Sequence, residues 1–321
     1  MKTITVNGTR NHQPITLTCS NIVLGSGDFL RLDNMEFAAP VLDEYMSRGG
    51  NTFDTARHYR HSEKALGTWM EMRGNRDKLN ILTKGCHPVR ENPHQPRVTT
   101  EAIEEDLMTS LEYLKTDHVE MYALHRDDPT KPVGPIMEAL HKQVEAGRIY
   151  AIGLSNWELD RIIEADNYAK ENGLTRISFN SPNLSLAKPL KPRWENCVSA
   201  NSDMVKWHEE TGLPLFSWSS QAGGFFSGRF APEIQDDQEM VEVYYSKENW
   251  ERYSRAKVLA EKKQATPIQI ALSYVLNQSF PTAALIGSEN KNELVSSISG
   301  AAIELSSEEI HYLDLKRDEL A

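Results

Sequence analysis

The stretch TTEAIEEDLMTSLEYLKTDHVEMYALH, residues 99–125, contains the unit from which the fold follows. Ile103, Leu107, Leu111 and Leu114 recur at i, i+4, i+8 and i+11. One face of a helix over Thr100–Leu114 is therefore apolar, with Thr99 and Thr100 as caps. Val119–Leu124 is a short, mainly apolar run, the pattern of a strand buried on both faces. The same alternation continues on either side. Strands are predicted at Asn21–Leu24, Thr52–Phe53, Asn80–Thr83, Ala151–Leu154, Arg176–Phe179, Pro214–Ser217 and Ala283–Ile286. Helices are predicted at Ile136–Ala146, Glu158–Glu171, Asp203–Thr211, Pro267–Asn277 and Glu293–Ser299. Pro267 opens its helix, where a missing N–H costs nothing. Strand–helix alternation implies parallel pairing through crossover helices. Eight such units in about 300 residues suit an α/β fold of the closed (β/α)8 type, a TIM barrel. An open doubly wound sheet would carry Gly-x-Gly-x-x-Gly after its first strand. Gly25-Ser26-Gly27 begins that pattern, but Leu30 occupies the third glycine position.

Three segments lie outside the eight units. Residues 2–17 hold two β-prone runs around Asn7-Gly8 and predict a hairpin closing the barrel floor. Residues 230–263 form an insertion with an acidic loop and a helical pattern from Trp250 to Lys263. The tail Ser306–Leu320 reads as a last helix, with Ser306 and Glu309 as its capping box. No linker or repeat divides the chain, so one domain over residues 1–321 is expected.

With 39% hydrophobic and 25% charged residues, the chain is globular rather than disordered. A net charge of -11 opposes binding to a phosphate backbone, so no nucleic-acid partner is expected. Cys19, Cys86 and Cys197 are too few and too scattered for a disulfide framework and read as free thiols. No run approaches the ~18 apolar residues of a membrane span. No apolar leader opens the chain, and Arg317-Asp-Glu-Leu320 is followed by Ala321, so neither end is read as a targeting signal. A cytoplasmic location is expected.

In such a barrel the chemistry collects at the C-terminal strand ends. Those ends carry Asp54 on the second strand, Lys84 on the third, His125 on the fourth, Ser155-Asn156 on the fifth and Asn180-Ser181 on the sixth. Trp218 follows the seventh and Gly287-Ser288 the eighth, and Tyr59 lies five residues past Asp54. A single Asp at such a place is ordinarily a helix cap, and a single His a packing residue. Four complementary groups on three successive strands are harder to assign to capping. Asp54 can pair with Lys84, an ammonium beside Tyr59 favours its phenolate, and His125 can donate to a carbonyl oxygen.

Longer motifs contain these residues. They include Asn51-Thr-Phe-Asp-Thr-Ala-Arg-His-Tyr59 with Ser62-Glu63, Leu82-Thr-Lys84, Ser110-Leu-Glu-Tyr-Leu114-Lys-Thr-Asp and Met121-Tyr-Ala-Leu-His125. Gly147-Arg-Ile-Tyr-Ala-Ile-Gly-Leu-Ser-Asn-Trp157 and Gly224-Phe-Phe-Ser-Gly228 complete the set. Together, in this order, they make the chain resemble the aldo-keto reductase family. The resemblance implies a barrel, a nicotinamide cofactor bound extended, and reversible carbonyl reduction. It implies that Tyr59 is the general acid, tuned by Lys84 and Asp54, and that His125 orients the carbonyl. It places Gly25, Ser26 and Asp54 beside the cofactor and Ser155 and Asn156 at its carboxamide. Ser181 stands where a Gln is usual. Trp218 takes the stacking position, although alone it also reads as core. Ser219, Ser220, Gln221, Gly223, Gly228 and Arg229 fall in or just beyond the pyrophosphate loop, although Gly223-Gly224 alone also reads as a plain turn. Gly287, Ser288, Lys291 and Glu293 fall at the adenosine end. NADPH is the expected cofactor. Glu289 and Glu293 stand where NADPH-selective members carry a cation, which leaves NADH open and predicts a weakened preference. Arg60 replaces the usual Gly after the Tyr and adds bulk at the rim.

The expected partner is a small carbonyl or alcohol substrate. His58, Arg60, His125, Arg126, Asp127 and Asp128 offer hydrogen bonds, and Trp157, Trp194 and Trp218 offer flat faces. That combination ranks a sugar-related compound first and a small general aldehyde second. Two other classes compete. A metal-dependent hydrolase is prompted by His58/His61 and His87/His94, but no His-x-His strand end or His-Glu-x-x-His helix supports it. A cofactor-binding regulatory barrel without turnover is opposed by the intact Asp/Tyr/Lys/His group.

Overall fold

The computed structural model describes residues 1–27, 29–59 and 61–320. Strands β1 (Thr3–Arg10) and β2 (Gln13–Ser20) pair as an antiparallel hairpin. Eight parallel strands then alternate with helices among the described residues. They are β3 (Ile22–Gly25), β4 (Thr52–Asp54), β5 (Asn80–Gly85), β6 (Val119–Leu124), β7 (Ile149–Ser155), β8 (Ile177–Ser181), β9 (Leu215–Ser217) and β10 (Thr282–Ile286). Pairing runs β10-β3-β4-β5-β6-β7-β8-β9 and closes, so the barrel has no free edge. The (β/α)8 expectation holds, and Gly25 simply ends β3.

The helices form the outer layer: α1 (Met35–Ser47), α2 (Ser62–Arg73), α3 (Thr100–Leu114), α4 (Val133–Glu145), α5 (Leu159–Glu171) and α6 (Ser202–Thr211). α7 (Gln238–Tyr244), α8 (Lys247–Lys263), α9 (Pro267–Leu276), α10 (Lys291–Ala301) and α11 (Ser307–Leu313) follow. In α3 the residues of the apolar repeat, Ile103, Leu107, Leu111 and Leu114, are all buried, and the Thr99 hydroxyl caps the Ala102 amide. Burying such a side chain is worth ~1.5–3 kcal/mol. α9 carries Pro267 at its start and a Thr266/Gln269 capping box. Among the described residues no helix is long and apolar enough to cross a membrane.

The hairpin corrects one reading. Its turn is Asn11-His12, both with positive φ (50° and 60°), as a tight two-residue hairpin turn requires. Asn7 and Gly8 instead lie within β1, paired with Thr16 and Ile15. Gly8 is needed there because a Cβ would stand 2.7 Å from the Tyr150 carbonyl oxygen of β7. The hairpin does form the floor: Val6, Leu17 and Cys19 join the barrel interior of Val23, Leu82, Met121, Phe179, Phe216 and Ala283.

Two further boundaries move. The insertion holds α7 as well as α8, and α8 starts at Lys247, capped by Ser246. The last helix keeps its Ser306/Glu309 capping box but ends at Leu313 rather than Leu320. There Leu315 takes a left-handed φ of 62°, and Arg255 draws the chain back by donating to the Tyr312 and Arg317 carbonyls.

Candidate active site

Short strands bring the titratable groups to one rim. Asp54 is the last residue of β4, and β4 pairs in register with β5, which carries Lys84. The Lys84 ammonium donates to Asp54 Oδ1, and also to the Thr55 carbonyl at 3.1 Å. Their side chains are 2% and 4% exposed. Burial pushes the Asp54 carboxyl up, and the Lys84 charge and hydrogen bond pull it back. Lys84 Nζ also lies 5.5 Å from the centroid of the Tyr59 ring. Tyr59 sits on the loop after β4, in a turn closed by its amide on the Ala56 carbonyl.

His125 follows β6. Its amide donates to the Gly85 carbonyl, and its own carbonyl accepts from Asn156 Nδ2 at 3.1 Å and Arg126 Nη1 at 2.8 Å. Its ring stands 5.7 Å from the Tyr59 ring. Burial, reinforced by the neighbouring His58, Lys84 and Arg126, holds its pKa well below the usual value. His125 is therefore a neutral imidazole with one N–H to donate.

Two more histidines complete this corner. His58 and His87 stack with centroids 3.7 Å apart and planes 6° off parallel, and both rings meet the edge of His125. Burial pushes His58 down to about 2 and lowers His87 as well. His87 reaches this position through a corner at Cys86, which takes a left-handed φ of 62°. The Cys86 amide donates to Asp106 Oδ2 at 2.7 Å, and Arg97 clamps that carboxylate with two bonds of 2.5 and 2.8 Å. In the sequence His87 stands out only as a metal-ligand candidate. Among the described residues no group of His, Cys, Asp and Glu could hold a metal ion. His61 and His94 are exposed, and His94 pairs with Glu195.

The four catalytic candidates open into a cleft of about 1480 Å³ that runs to the start of α10. Gly25, Ser155, Asn156, Trp218, Ser219, Ser220, Gln221, Gly223, Gly228, Arg229, Gly287, Ser288 and Glu293 line it, as do Glu289 and Arg193. Three candidates lie off it. Ser26 is buried with its hydroxyl unpartnered. Ser181 gives its hydroxyl to the Phe216 carbonyl at 2.8 Å, inside the wall. Lys291 turns to Glu44 of α1 at 3.8 Å. Of the expected rim, Asp127 bonds Arg161, Asp128 bonds Thr130, and Trp157 is fully buried with its Nε1 on the Arg126 carbonyl. Arg60 lies outside the described residues.

The far end of the cleft fits a dinucleotide. Residues 219–228 turn repeatedly through positive φ, at Ser219, Ala222, Gly223, Gly224 and Gly228. A Cβ on Gly223 would stand 3.0 Å from Arg193 Nη1, and one on Gly224 2.7 Å from Arg229 Nη2. Arg193, which is paired with Glu239, and Arg229, which donates to the Gly223 carbonyl, thus lie against a bare backbone, an arrangement that could take a pyrophosphate. Trp218 lines the same cleft and lies beside Trp194, with ring centroids 5.6 Å apart and planes tilted by 37°. At the α10 end the charge reverses. Glu293 is a helix-capping residue, accepting from the Glu289 amide at 3.0 Å and from Asn290 Nδ2 at 2.8 Å, with Glu289 beside it.

Comparison with known proteins agrees with this geometry. The sequence model of the aldo/keto reductase family matches residues 21–318. Norsolorinic acid reductase stcV of Emericella nidulans is 29% identical over 87% of this chain and 71% of its own. The uncharacterized oxidoreductase YrpG of Bacillus subtilis is 26% identical over 93% of this chain and 92% of its own. A putative aryl-alcohol dehydrogenase, AAD14 of Saccharomyces cerevisiae, is 24% identical over 94% and 82%. These relatives support carbonyl–alcohol oxidoreduction as the chemistry of the fold, and the chain belongs to the aldo/keto reductase family.

Proposed function

We propose that residues 1–321 act as one catalytic unit that interconverts a carbonyl compound and its alcohol with NAD(P)(H), Tyr59 handling the proton. The observation that carries this reading is the buried Lys84, bonded to Asp54 and set against the Tyr59 ring at the mouth of the cleft. When bound, the nicotinamide supplies or accepts the hydride. Ser155, Asn156 and Trp218 would hold its ring end, the loop from Ser219 to Arg229 its pyrophosphate, and Gly287, Ser288 and Glu293 its adenosine end.

The protein's own groups then divide the remaining work. Tyr59 gives its hydroxyl proton to the carbonyl oxygen in reduction and takes it back in oxidation. Lys84 stabilises the phenolate left behind, because a cation nearby favours the charged form. Asp54 holds Lys84 in place and balances its charge within the buried wall. His125 donates its single N–H to the same oxygen, and its neutrality keeps a second positive charge from opposing Lys84. Proton transfer of this kind contributes ~10²–10⁴-fold in rate.

Two substrate classes fit. A sugar-related carbonyl or polyol draws on His58, His125, Arg126, Trp194 and Trp218, but loses the help of Asp127, Asp128 and Trp157. Around the candidate catalytic group the cleft presents the rings of His58, His87, His125, Trp194 and Trp218 together with Arg126. These suit a planar ring better than a run of hydroxyls, so an aromatic carbonyl moves ahead of a sugar. The aryl-alcohol dehydrogenase among the relatives supports the same order. NADPH remains the first cofactor, with a weak preference over NADH, because Glu289 and Glu293 line the α10 end of the cleft, where a 2′-phosphate would meet their charge.

The test follows nicotinamide absorbance with each cofactor over aromatic aldehydes, aldoses, ketoses and polyols. Turnover of an aldehyde or alcohol is expected, with aromatic compounds ahead in kcat/KM. Tyr59→Phe should lower kcat by ~10²–10⁴-fold while cofactor still binds. A Tyr59→Phe enzyme within about threefold of the parent would overturn the proton assignment.

A further inference from the structure

Arg126 is the first residue after His125, and its placement is costly. It is 8% exposed and lines the cleft beside the candidate catalytic group. Its side chain makes one hydrogen bond, from Nη1 to the His125 carbonyl at 2.8 Å. Among the described residues it has no carboxylate partner. The acids that follow it are committed elsewhere, Asp127 to Arg161 at 3.1 and 3.3 Å and Asp128 to Thr130 at 3.1 and 2.6 Å. A guanidinium carries five N–H donors and stays charged. A buried charge without a partner is strongly unfavourable.

The neighbouring groups do not relieve it. Lys84 is balanced by Asp54, and His58, His87 and His125 are held neutral. Glu195 also lines the cleft, but its carboxylate is taken by His94, so Arg126 is left without a counter-ion among the described residues. Arg126 lines the cleft, and none of its nitrogens is among the sealed, unpartnered atoms of the described residues, so its remaining donors are reachable by a ligand. Facing the same space is the flat wall of His58 stacked on His87.

Building on the carbonyl–alcohol reading, we propose that Arg126 binds a carboxylate of the substrate. The substrate class is then a planar carbonyl compound or alcohol that carries a carboxylate, its ring against the His58–His87 wall. A carboxylate accepts two parallel bonds from one guanidinium, which would both neutralise Arg126 and orient the reacting carbonyl toward Tyr59. This accounts for the absence of an internal counter-ion: the compensating charge arrives with the substrate.

The test compares 2-, 3- and 4-formylbenzoate with the matching formylbenzamides, which keep the shape and remove the charge. For the parent enzyme, kcat/KM of at least one formylbenzoate should exceed that of its amide by about 10- to 100-fold, the range for a hydrogen bond to a charged group. Arg126→Met should bring that ratio to about one, and Arg126→Lys should restore part of it. A ratio near one in the parent, or one that Arg126→Met leaves unchanged, overturns the proposal. Binding gives an independent arm. Quenching of tryptophan fluorescence should report benzoate bound more tightly than benzamide, and the difference should vanish in Arg126→Met and return in part in Arg126→Lys. If no aldehyde is turned over, the oxidoreductase reading fails, and the binding arm alone decides Arg126: equal affinity for benzoate and benzamide overturns its role.

Discussion

Replacing Lys84 by Met tests whether the buried pair with Asp54 holds the site together. Methionine keeps most of the volume and removes the charge. Three influences act on the Asp54 carboxyl: burial raises its pKa, and the Lys84 charge and hydrogen bond lower it. In Lys84→Met only burial remains. The carboxyl then has a folded pKa above its unfolded value, so the folded state binds more protons. Stability is full below the unfolded pKa of ~3.9 and falls as pH rises, by ~1.36 kcal/mol per unit, until the folded pKa is reached. Neutralising the carboxyl therefore costs at most about 2 kcal/mol near pH 5.5 and about 5 kcal/mol near pH 7.5. Loss of one partner of a buried pair falls in the same range, ~3–5 kcal/mol. Urea denaturation at both pH values reads this as a drop in midpoint that widens with pH. The double variant Asp54→Asn/Lys84→Met has neither member of the pair left to titrate, so its deficit near pH 7.5 should be smaller than that of Lys84→Met. A Lys84→Met deficit below about 1 kcal/mol, or one equal at the two pH values, would refute the reasoning.

Glu289→Arg should shift the ratio of NADPH to NADH affinity toward NADPH by ~1–3 kcal/mol, through a charge-assisted bond to the 2′-phosphate; titration with both cofactors measures it, and an unchanged ratio would show that residue 289 does not reach the phosphate. Gly8→Ala should cost ~1–3 kcal/mol, because the new Cβ would stand 2.7 Å from the Tyr150 carbonyl oxygen and backbone cannot swing aside. A thermal melt of Gly8→Ala indistinguishable from the parent would mean that the hairpin floor is not packed against β7 as described.

The reach of the sequence shows in particular residues. The 3.6-residue repeat of α3 and the apolar run of β6 are local properties, set by which side chains fall on one face, so they are legible without any tertiary information. Once the alternation implies parallel strands in register, the adjacency of Asp54, Lys84 and His125 follows, because consecutive strands of a closed barrel end at one rim. The family motifs are local too, and they assign residues 155–156 and 219–229 to the cleft wall.

Other features depend on contacts between distant segments. Asn7-Gly8 has the composition of a turn, yet Gly8 serves a close approach to Tyr150, 142 residues away, and the turn moves to Asn11-His12. Asp127, Asp128 and Trp157 occupy the right loops for a substrate rim, but Arg161, Thr130 and the Arg126 carbonyl claim them. Lys291 stands in the right motif for a phosphate and turns to Glu44 on another helix. His87 enters the site only because Arg97 and Asp106 hold the Cys86 corner. The chain itself thus determined the barrel and the rim positions. Which polar groups stay free to meet a ligand was decided by the tertiary structure, because most buried donors, acceptors and charges are claimed by partners close in space, and sequence separation does not measure that distance.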